Sequence, residues 1–300
     1  MQEGRPSATA VVAAMMRAAH LFLDGEPKIL ADDLALGFSG VEHEAALRAA
    51  LNALQAELAQ RFPLALVQAL LRYTRAGVTL RSRYTEDELS QAIERGVSQY
   101  VILGAGLDSF AYRRRDLAGV LRVFEVDHPA TQHWKQARLR ELHVELPPHL
   151  TFIPLDFERQ AVAEALRAEG YRPEEPAFFS WLGVTWFLTE ETIFETLRQL
   201  APAAPGSEVV FEYPVAEALL NEEERQMLAI IKALGAIRGE PVRSLFEPAR
   251  LVARVRELGF AHVWDFGPEE ANAHYFAGRT DGLRFPNLGH LLKAQVGEAS

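Results

Sequence analysis

The residues best suited to do chemistry, by type and by spacing, lie between positions 99 and 127. Residues 100–103 form an apolar run that stops at a glycine turn, residues 104–106, and a second apolar run ends on Glu125 and Asp127. Glycines let the backbone approach a ligand closely, and an acid after the next strand can accept hydrogen bonds from a ribose diol. This order of strand, glycine turn, helix, strand and acid predicts a site for a nucleoside-containing cofactor.

The residues directly after the glycine turn indicate the kind of cofactor. Ser109 stands where a dinucleotide fingerprint has its third glycine, and Asp108 falls in the first turn of the predicted helix. A carboxylate there suits the helix dipole but repels the pyrophosphate of a dinucleotide. The turn therefore favours a cationic or zwitterionic nucleoside such as S-adenosylmethionine. An NAD(P)-dependent oxidoreductase is the alternative enzyme class.

Composition narrows the setting of this site. The chain has 300 residues, of which 49% are hydrophobic, a formal net charge of −10 and no cysteine. A field of this sign argues against binding to nucleic acid or to an anionic membrane, and no apolar stretch is long enough to span a bilayer. Cysteine chemistry is excluded, and no pair of histidines has metal-ligand spacing with a carboxylate. We expect a cytoplasmic protein that binds small molecules without a metal.

The elements that must position the site change character near residue 95. Residues 1–95 are helical in pattern, with breaks at 25–27, 37–40 and 63, and predict a helical cap that belongs to the same domain. Residues 81–84 are interpreted as a connection, because residues 85–88 resemble a capping box. Residues 96–300 predict strands at 100–103, 121–126, 150–155, 176–182, 208–213, 262–266 and 289–296. Strands that alternate with helices predict a doubly wound, mostly parallel seven-stranded α/β sheet.

In such sheets the ligand lies beyond the carboxyl ends of the strands. Asp156 comes after the third predicted strand, Gly183 after the fourth, and Tyr213 ends the fifth. We expect Asp127 to hold the ribose hydroxyls. We expect Asp156 to accept from the adenine amino group, with Phe157 beside it as an apolar wall.

These motifs together resemble a known family. The strings LGAGLDS at 103–109, FEVDHP at 124–129, PLDF at 154–157 and FFSWLGVT at 178–185 look like class I methyltransferases that use S-adenosylmethionine. The branch they match is similar to leucine carboxyl methyltransferases and the bacterial O-methyltransferases grouped with them. The likeness extends over nearly the whole chain, through residues 81–84 to residues 275–284.

The resemblance implies an S-adenosylmethionine-binding core and methyl transfer to oxygen. It also implies that Arg83 reaches a carboxylate of the cofactor or of the substrate. Two positions depart from the family pattern: Leu182 replaces a cofactor-binding glutamate, and Phe187 replaces a frequent tyrosine. The first departure motivates a further alternative, a non-catalytic protein that binds S-adenosylmethionine but has lost transfer.

The candidate site residues derive from the residue types and from the resemblance. Cofactor binding is expected at Arg83, Gly104, Ala105, Gly106, Asp108, Glu125, Asp127, His128, Leu155, Asp156, Phe157, Trp181 and Gly183. Acceptor binding is expected at Trp186, Tyr213, Tyr275, Arg279 and Arg284, the arginines as donors to an acidic group. No catalytic residue is assigned, because a carboxylate acceptor is ionised at pH 7 whereas a hydroxyl needs a base. The expected function is O-methylation of a carboxylate or hydroxyl on a small molecule.

Overall fold

The computed structural model of the chain describes residues 7–157 and 160–297. Its N-terminal part consists of α1 (Ala8–Leu23), α2 (Ala35–Phe38), α3 (Glu44–Ala59) and α4 (Leu64–Glu94). The strands are β1 (Gln99–Leu103), β2 (Arg122–Asp127), β3 (Leu150–Pro154), β4 (Ala177–Trp181), β5 (Glu208–Pro214), β6 (Phe260–Phe266) and β7 (Gly289–Val296). The helices among them are α5 (Phe110–Arg113), α6 (Pro129–Glu141), α7 (Val162–Ala168), α8 (Glu190–Leu200), α9 (Glu222–Arg238), α10 (Pro248–Glu257) and α11 (Pro268–Tyr275), with short 3-10 turns at Arg115–Leu117, Thr185–Phe187 and Glu217–Leu219.

The seven strands form one sheet in the order β3-β2-β1-β4-β5-β7-β6. The pairings from β3 across to β5 are parallel, and β7 lies antiparallel to both of its neighbours. The prediction of a mostly parallel, doubly wound seven-stranded sheet is confirmed. Strand order reverses between β1 and β4, so the crevice that such folds use for ligands lies at their carboxyl ends.

The central strands are buried on both faces. Side chains of a strand alternate between faces, and here Val101 packs in the larger core while Tyr100 and Ile102 pack in the core on the opposite face. Burial on both faces explains why β1 reads as a continuous apolar run rather than an alternating one. The sheet is therefore a rigid base for the loops at the ends of its strands.

The helical part packs around its own apolar cluster. α1, α3 and α4 meet through Met16, Leu47, Leu58 and Leu71. At 31 residues, α4 is about 46 Å long and reaches from this cluster to the sheet. It ends at Glu94, shortly before β1 begins at Gln99. No helix in residues 7–157 and 160–297 is long and apolar enough to cross a membrane.

One boundary expected within the helical part is wrong. Residues 81–84 are not a connection, because α4 continues through them to Glu94. Thr85 is buried within the helix and caps no helix start, and Glu86 pairs with Arg113. Between residues 64 and 94 the chain has no proline and a single glycine, Gly77, so nothing local ends the helix.

Several helix limits also differ from the expectation. The helix after the glycine turn is limited to α5, because the Asp108 side chain accepts from the amide of Phe110 at 2.7 Å and keeps the preceding residues in a turn. A capping box of Asn221 and Glu224 moves the helix expected from residue 216 to α9. α6 ends at Glu141 rather than near residue 146. The helix expected from residue 158 is α7, and residues 158 and 159 lie outside the described residues.

Candidate cofactor and acceptor site

A cavity of about 840 Å³ lies beyond the carboxyl ends of the strands. Its floor is formed by the residues at the ends of β1, β2, β3 and β4, together with Glu212 near the end of β5. Helices α1, α3, α4 and α9 cover it. The cavity therefore occupies the crevice that the strand order predicts.

The glycine turn brings backbone close to two neighbouring segments. Gly104 and Gly106 have φ angles of +67° and +48°. The amides of Gly104 and Ala105 donate to the Val126 carbonyl at 2.8 and 3.1 Å, which fastens the turn to β2. A Cβ at Gly104 would lie 2.3 Å from Cγ2 of Val184, so both the conformation and the close approach require glycine there. Gly104, Ala105, Gly106 and Asp108 all line the cavity.

Asp127 is held in place by backbone donors at the end of β2. One carboxylate oxygen accepts from the amide of Gly106, and the other accepts from the amide of His128 at 2.6 Å. Burial raises the pKa of Asp127, and the two N–H groups oppose that shift. An ionised carboxylate has about four acceptor positions, so these two contacts aim the group and leave capacity for ligand hydroxyls.

The end of β3 supplies a flat apolar surface beside a second carboxylate. Leu155, Asp156 and Phe157 line the cavity. The ring of Phe157 stacks on that of Trp181, with centroids 6.2 Å apart and planes at 28°. His128 also lines the cavity, but its Nδ1 accepts from the amide of Ala130 at 3.2 Å and caps α6. An aromatic wall with a carboxylate at its edge suits a purine.

A buried ionic network fastens the helical part to the glycine turn. Arg17 donates to the Asp32 carboxylate at 2.7 Å and to the Leu107 carbonyl at 2.6 Å. The Ser109 hydroxyl donates to the same carboxylate oxygen at 2.7 Å, and Arg113 donates to Ser109 at 2.9 Å. Burial alone raises the pKa of Asp32, but Arg17 and Arg113 bring it below its ordinary value. Ser109 therefore links the turn to α1, a role that the sequence reasoning missed.

Arg81 and Glu212 form a second feature that the sequence reasoning missed. Arg81 donates to Glu212 at 2.7 Å, and the amide of Gly183 donates to the same carboxylate oxygen at 3.1 Å. Gly183 has a φ of +70°, and a Cβ there would lie 2.7 Å from the Arg81 guanidinium nitrogens. A cation and an anion thus meet at the end of β4, beside the glycine turn. The available signal was the placement of Glu212 near the end of a predicted strand.

The structure places three of the expected cofactor residues outside the cavity lining. Arg83 pairs with Asp87 at 2.8 Å and is exposed, because it lies two positions and about 200° around α4 from Arg81. Glu125 is buried against Lys135 at 2.6 Å, and burial raises its pKa to about 7 although the ammonium opposes the shift. Trp181 is fully buried beneath Phe157.

Of the expected acceptor residues, Trp186 lines the cavity and the others lie elsewhere. Tyr213 is buried and donates to Asp265 at 2.6 Å, because side chains at 212 and 213 point to opposite faces of β5. Tyr275 donates to Asp87 at 2.9 Å on the far side of α4. Arg279 is held by Asp281 and by backbone carbonyls, and Arg284 is exposed on the surface.

Two solved structures share this fold over their whole length. A DUF574-family protein from Streptomyces avermitilis superimposes with a TM-score of 0.62 and 15% identity, covering 98% of this chain and 99% of that one. A candidate methyltransferase from Thermobifida fusca gives a TM-score of 0.55 and 16% identity, covering 99% and 97%. At such identities the likeness concerns the fold alone, which is that of class I methyltransferases.

Sequence comparison identifies the family. The family model of leucine carboxyl methyltransferases matches residues 10–201. The chain is 33% identical over 215 residues to the YktD protein of Bacillus subtilis, whose name assigns it to the S-adenosylmethionine-dependent methyltransferases, covering 71% of this chain and 70% of that protein. It is 38% identical over 135 residues to a similarly assigned protein of Mycobacteroides abscessus, covering 44% of each. The chain belongs to the leucine carboxyl methyltransferase family, and it is an S-adenosylmethionine-dependent methyltransferase.

Proposed function

We propose that the chain methylates oxygen, on a carboxylate or hydroxyl of a small-molecule acceptor. The observation that carries the proposal is the continuity of the cavity. The glycine turn, Asp127 and Asp156 lie in the same space as a chamber beneath the helices, which leaves room for a second molecule beside the cofactor. Pockets for single ligands have volumes of about 300–1,000 Å³, and 840 Å³ lies toward the upper end of that range.

The cofactor fits the residues present. Asp127 would accept from the ribose hydroxyls, and Asp156 with Phe157 would hold the adenine. Gly104 and Gly183 bring backbone close at the far end, where the methionine part would lie. When bound, S-adenosylmethionine supplies an electrophilic methyl group carried by a sulfonium sulfur.

Arg81 and Glu212 would replace the two family contacts that this chain lacks or moves. The methionine part of the cofactor is a zwitterion, with one carboxylate and one ammonium group. Arg81, rather than Arg83, would hold the carboxylate, and Glu212 would accept from the ammonium in place of the missing glutamate at Leu182. Their 2.7 Å ion pair keeps both charges satisfied before the ligand arrives.

The chain's part in the reaction is to position and to desolvate. Helices α1, α4 and α9 exclude water from the cavity, and Trp186 and Leu182 provide apolar walls near the end of β4. Bringing two reactants together in one orientation can supply a large part of the acceleration. A carboxylate acceptor requires no base at pH 7, so we assign none.

Titration calorimetry with S-adenosylhomocysteine, with NADH in parallel, tests the cofactor assignment. We expect saturable binding of the first and no heat from the second. Release of S-adenosylhomocysteine from S-adenosylmethionine over a panel of acids, alcohols and amines then tests the acceptor chemistry. Turnover of amines alone would overturn the assignment to oxygen, and cofactor binding without turnover of any acceptor would favour a non-catalytic protein.

A further inference from the structure

The cavity has two ends of different chemistry. Toward the strands it presents backbone amides, carboxylates and the Arg81–Glu212 pair. Toward the helices it is lined by aliphatic side chains from four helices: Val12, Ala13 and Met16 of α1, Leu54 and Leu58 of α3, Leu70 and Leu71 of α4, and Ile231 and Leu234 of α9. We call this second end the apolar chamber.

One face of α4 connects the two ends. Residues 70, 74, 77, 78 and 81 line the cavity, and this three- and four-residue spacing places them on a single face. Eleven residues separate Leu70 from Arg81, so the face extends about 16 Å from aliphatic to cationic side chains. Polarity therefore changes along the length of the cavity rather than across it.

The middle of this face is narrow in side chain and low in free polarity. Gly77 is a helical position with no side chain, and the nearest atom to a Cβ built there is Cε2 of Phe285 at 3.9 Å. Glycine inside a helix is destabilising relative to alanine, so an open passage is gained at some cost. The Thr74 hydroxyl donates to the Leu70 carbonyl at 2.8 Å within the helix. A hydrocarbon can pass here without burying an unpaired polar group.

The helical end of the chamber is closed by polar contacts at its edge. The amide of Thr9, at the start of α1, donates to the Glu240 carboxylate at 3.3 Å, and the Thr9 hydroxyl donates to it as well. Gly235 allows this closure, because a Cβ there would lie 2.5 Å from the Glu240 carbonyl oxygen. Of the described charged residues that line this end, Arg238, Glu240 and Arg243 lie in or after the last turn of α9, at the edge.

We propose that the methyl acceptor is a small molecule with a hydrocarbon chain, whose chain occupies the apolar chamber and whose oxygen end faces the end of β4. This inference rests on the proposed function and adds the class of acceptor to it. The physical reason is burial: each methylene group that leaves water for an aliphatic lining gains free energy, so affinity should increase with chain length until the chamber is full.

The test measures binding of butanoate, octanoate, dodecanoate and hexadecanoate to the protein, with and without saturating S-adenosylhomocysteine, by calorimetry. We expect affinity to rise by up to about fourfold per methylene group, and by about 100-fold or more from butanoate to dodecanoate. Dodecan-1-ol, measured beside dodecanoate, separates recognition of the chain from recognition of the carboxylate.

Variants locate the chain within the cavity. Leu234→Trp and Leu54→Trp fill the apolar chamber from two different helices, so one remains informative if the other fails to fold. Ile237→Trp is the matched control, since it lies on α9 three residues from Leu234 but is 69% exposed and outside the cavity. We expect the chamber variants to lose at least about tenfold in dodecanoate affinity while their S-adenosylhomocysteine and butanoate affinities stay unchanged.

The outcomes separate the inference from the function on which it rests. Affinity independent of chain length, or an equal loss in Ile237→Trp, overturns the apolar chamber as the acceptor site even if S-adenosylhomocysteine binds. Chain-length dependence with no binding of S-adenosylhomocysteine retains the chamber and overturns the proposed function. Tight binding of a short leucine-terminated peptide with no response to fatty acids also overturns the inference, in favour of a protein acceptor.

Discussion

Helix α4 contributes to two concave surfaces, and only one of them is organised for a cofactor. The first is the cavity at the carboxyl ends of the strands. The second is a surface groove lined by Arg83, Tyr84 and Asp87 of α4 together with Trp264 and Tyr275. Both contain arginine, carboxylates and aromatic rings, so residue type alone does not distinguish them.

The difference lies in what those groups contact. In the groove, Arg83 and Tyr275 both bind Asp87, and Lys293 pairs with Glu88 at 2.6 Å and lies 4.6 Å from the ring centroid of Trp264. The groove is thus a set of side chains that satisfy one another at the surface. In the cavity the polar groups sit at strand ends, aimed by backbone amides and covered by helices. Position relative to the sheet, rather than composition, makes the site.

The largest expected effect concerns the network beneath the glycine turn. Asp32→Asn should lower the free energy of unfolding at pH 7 by about 3–5 kcal/mol, because it leaves the buried Arg17 and Arg113 without their carboxylate. Chemical denaturation measures this. Asp87→Asn in the groove is the comparison, and it should change stability by less than about 1 kcal/mol because its ion pair is partly exposed. Equal losses would remove the distinction between the two regions.

The effect of Asp32→Asn should also depend on pH. The pKa of Asp32 is below its ordinary value of 3.8, so its stabilising contribution is present above that pH and is lost as the pH falls through the folded-state pKa. The stability difference between wild type and Asp32→Asn should therefore be greatest near neutral pH and shrink below about pH 4. A difference that stays constant down to pH 2 would contradict this assignment.

The arginines of α4 give the sharpest comparison of binding. Arg81→Ala should weaken S-adenosylhomocysteine binding by roughly 10- to 150-fold, since a charge-assisted hydrogen bond is lost and Glu212 is left unpaired. Arg83→Ala, only two positions away, should change affinity less than about threefold. Calorimetry on the two variants decides the matter, and the reverse ranking would return the role to Arg83.

Asp127→Ala should also weaken cofactor binding, by about 1–3 kcal/mol or roughly 5- to 150-fold. It removes the expected ribose contact and leaves the amides of Gly106 and His128 without an acceptor. Asp116→Ala, at an exposed carboxylate, serves as the control. Unchanged affinity for S-adenosylhomocysteine would remove Asp127 from the site.

The smallest effect is expected in the groove. Tyr275→Phe removes the hydrogen bond to Asp87 and should lower the free energy of unfolding by about 0.5–1.5 kcal/mol. Cofactor affinity and methyl transfer should not change. A selective loss of transfer at unchanged stability would show that the groove takes part in function after all.

The parts of the site that could be predicted from sequence are those that adjacent residues define. The glycine turn and Asp127 are recognisable from the local order of strand, turn, helix and acid, which sets their positions whatever the rest of the chain does. Arg81 and Arg83 could not be told apart in this way. Both are cations in one segment, and which of them faces the cavity depends on the rotation of α4 about its own axis.

The exchange of Tyr213 for Glu212 at the end of β5 has a similar physical cause. Successive side chains in a strand point to opposite faces, so a shift of one position selects the other face. The sequence identifies the strand end but not which face is open to the cavity. The misplaced helix start at Thr85 also has its origin in tertiary contacts, because packing keeps α4 continuous through a local capping pattern.

By itself, then, the sequence determined the alternation of strands and helices, the seven-stranded sheet and the acids and glycines at its strand ends. Each of these depends on short-range pattern, either the period of apolar residues or the backbone freedom of glycine. The tertiary structure decided which face of α4 meets the sheet, how Glu212 pairs with Arg81, and that four helices enclose an apolar chamber. Those outcomes depend on the packing of segments far apart in the chain, which no local pattern records.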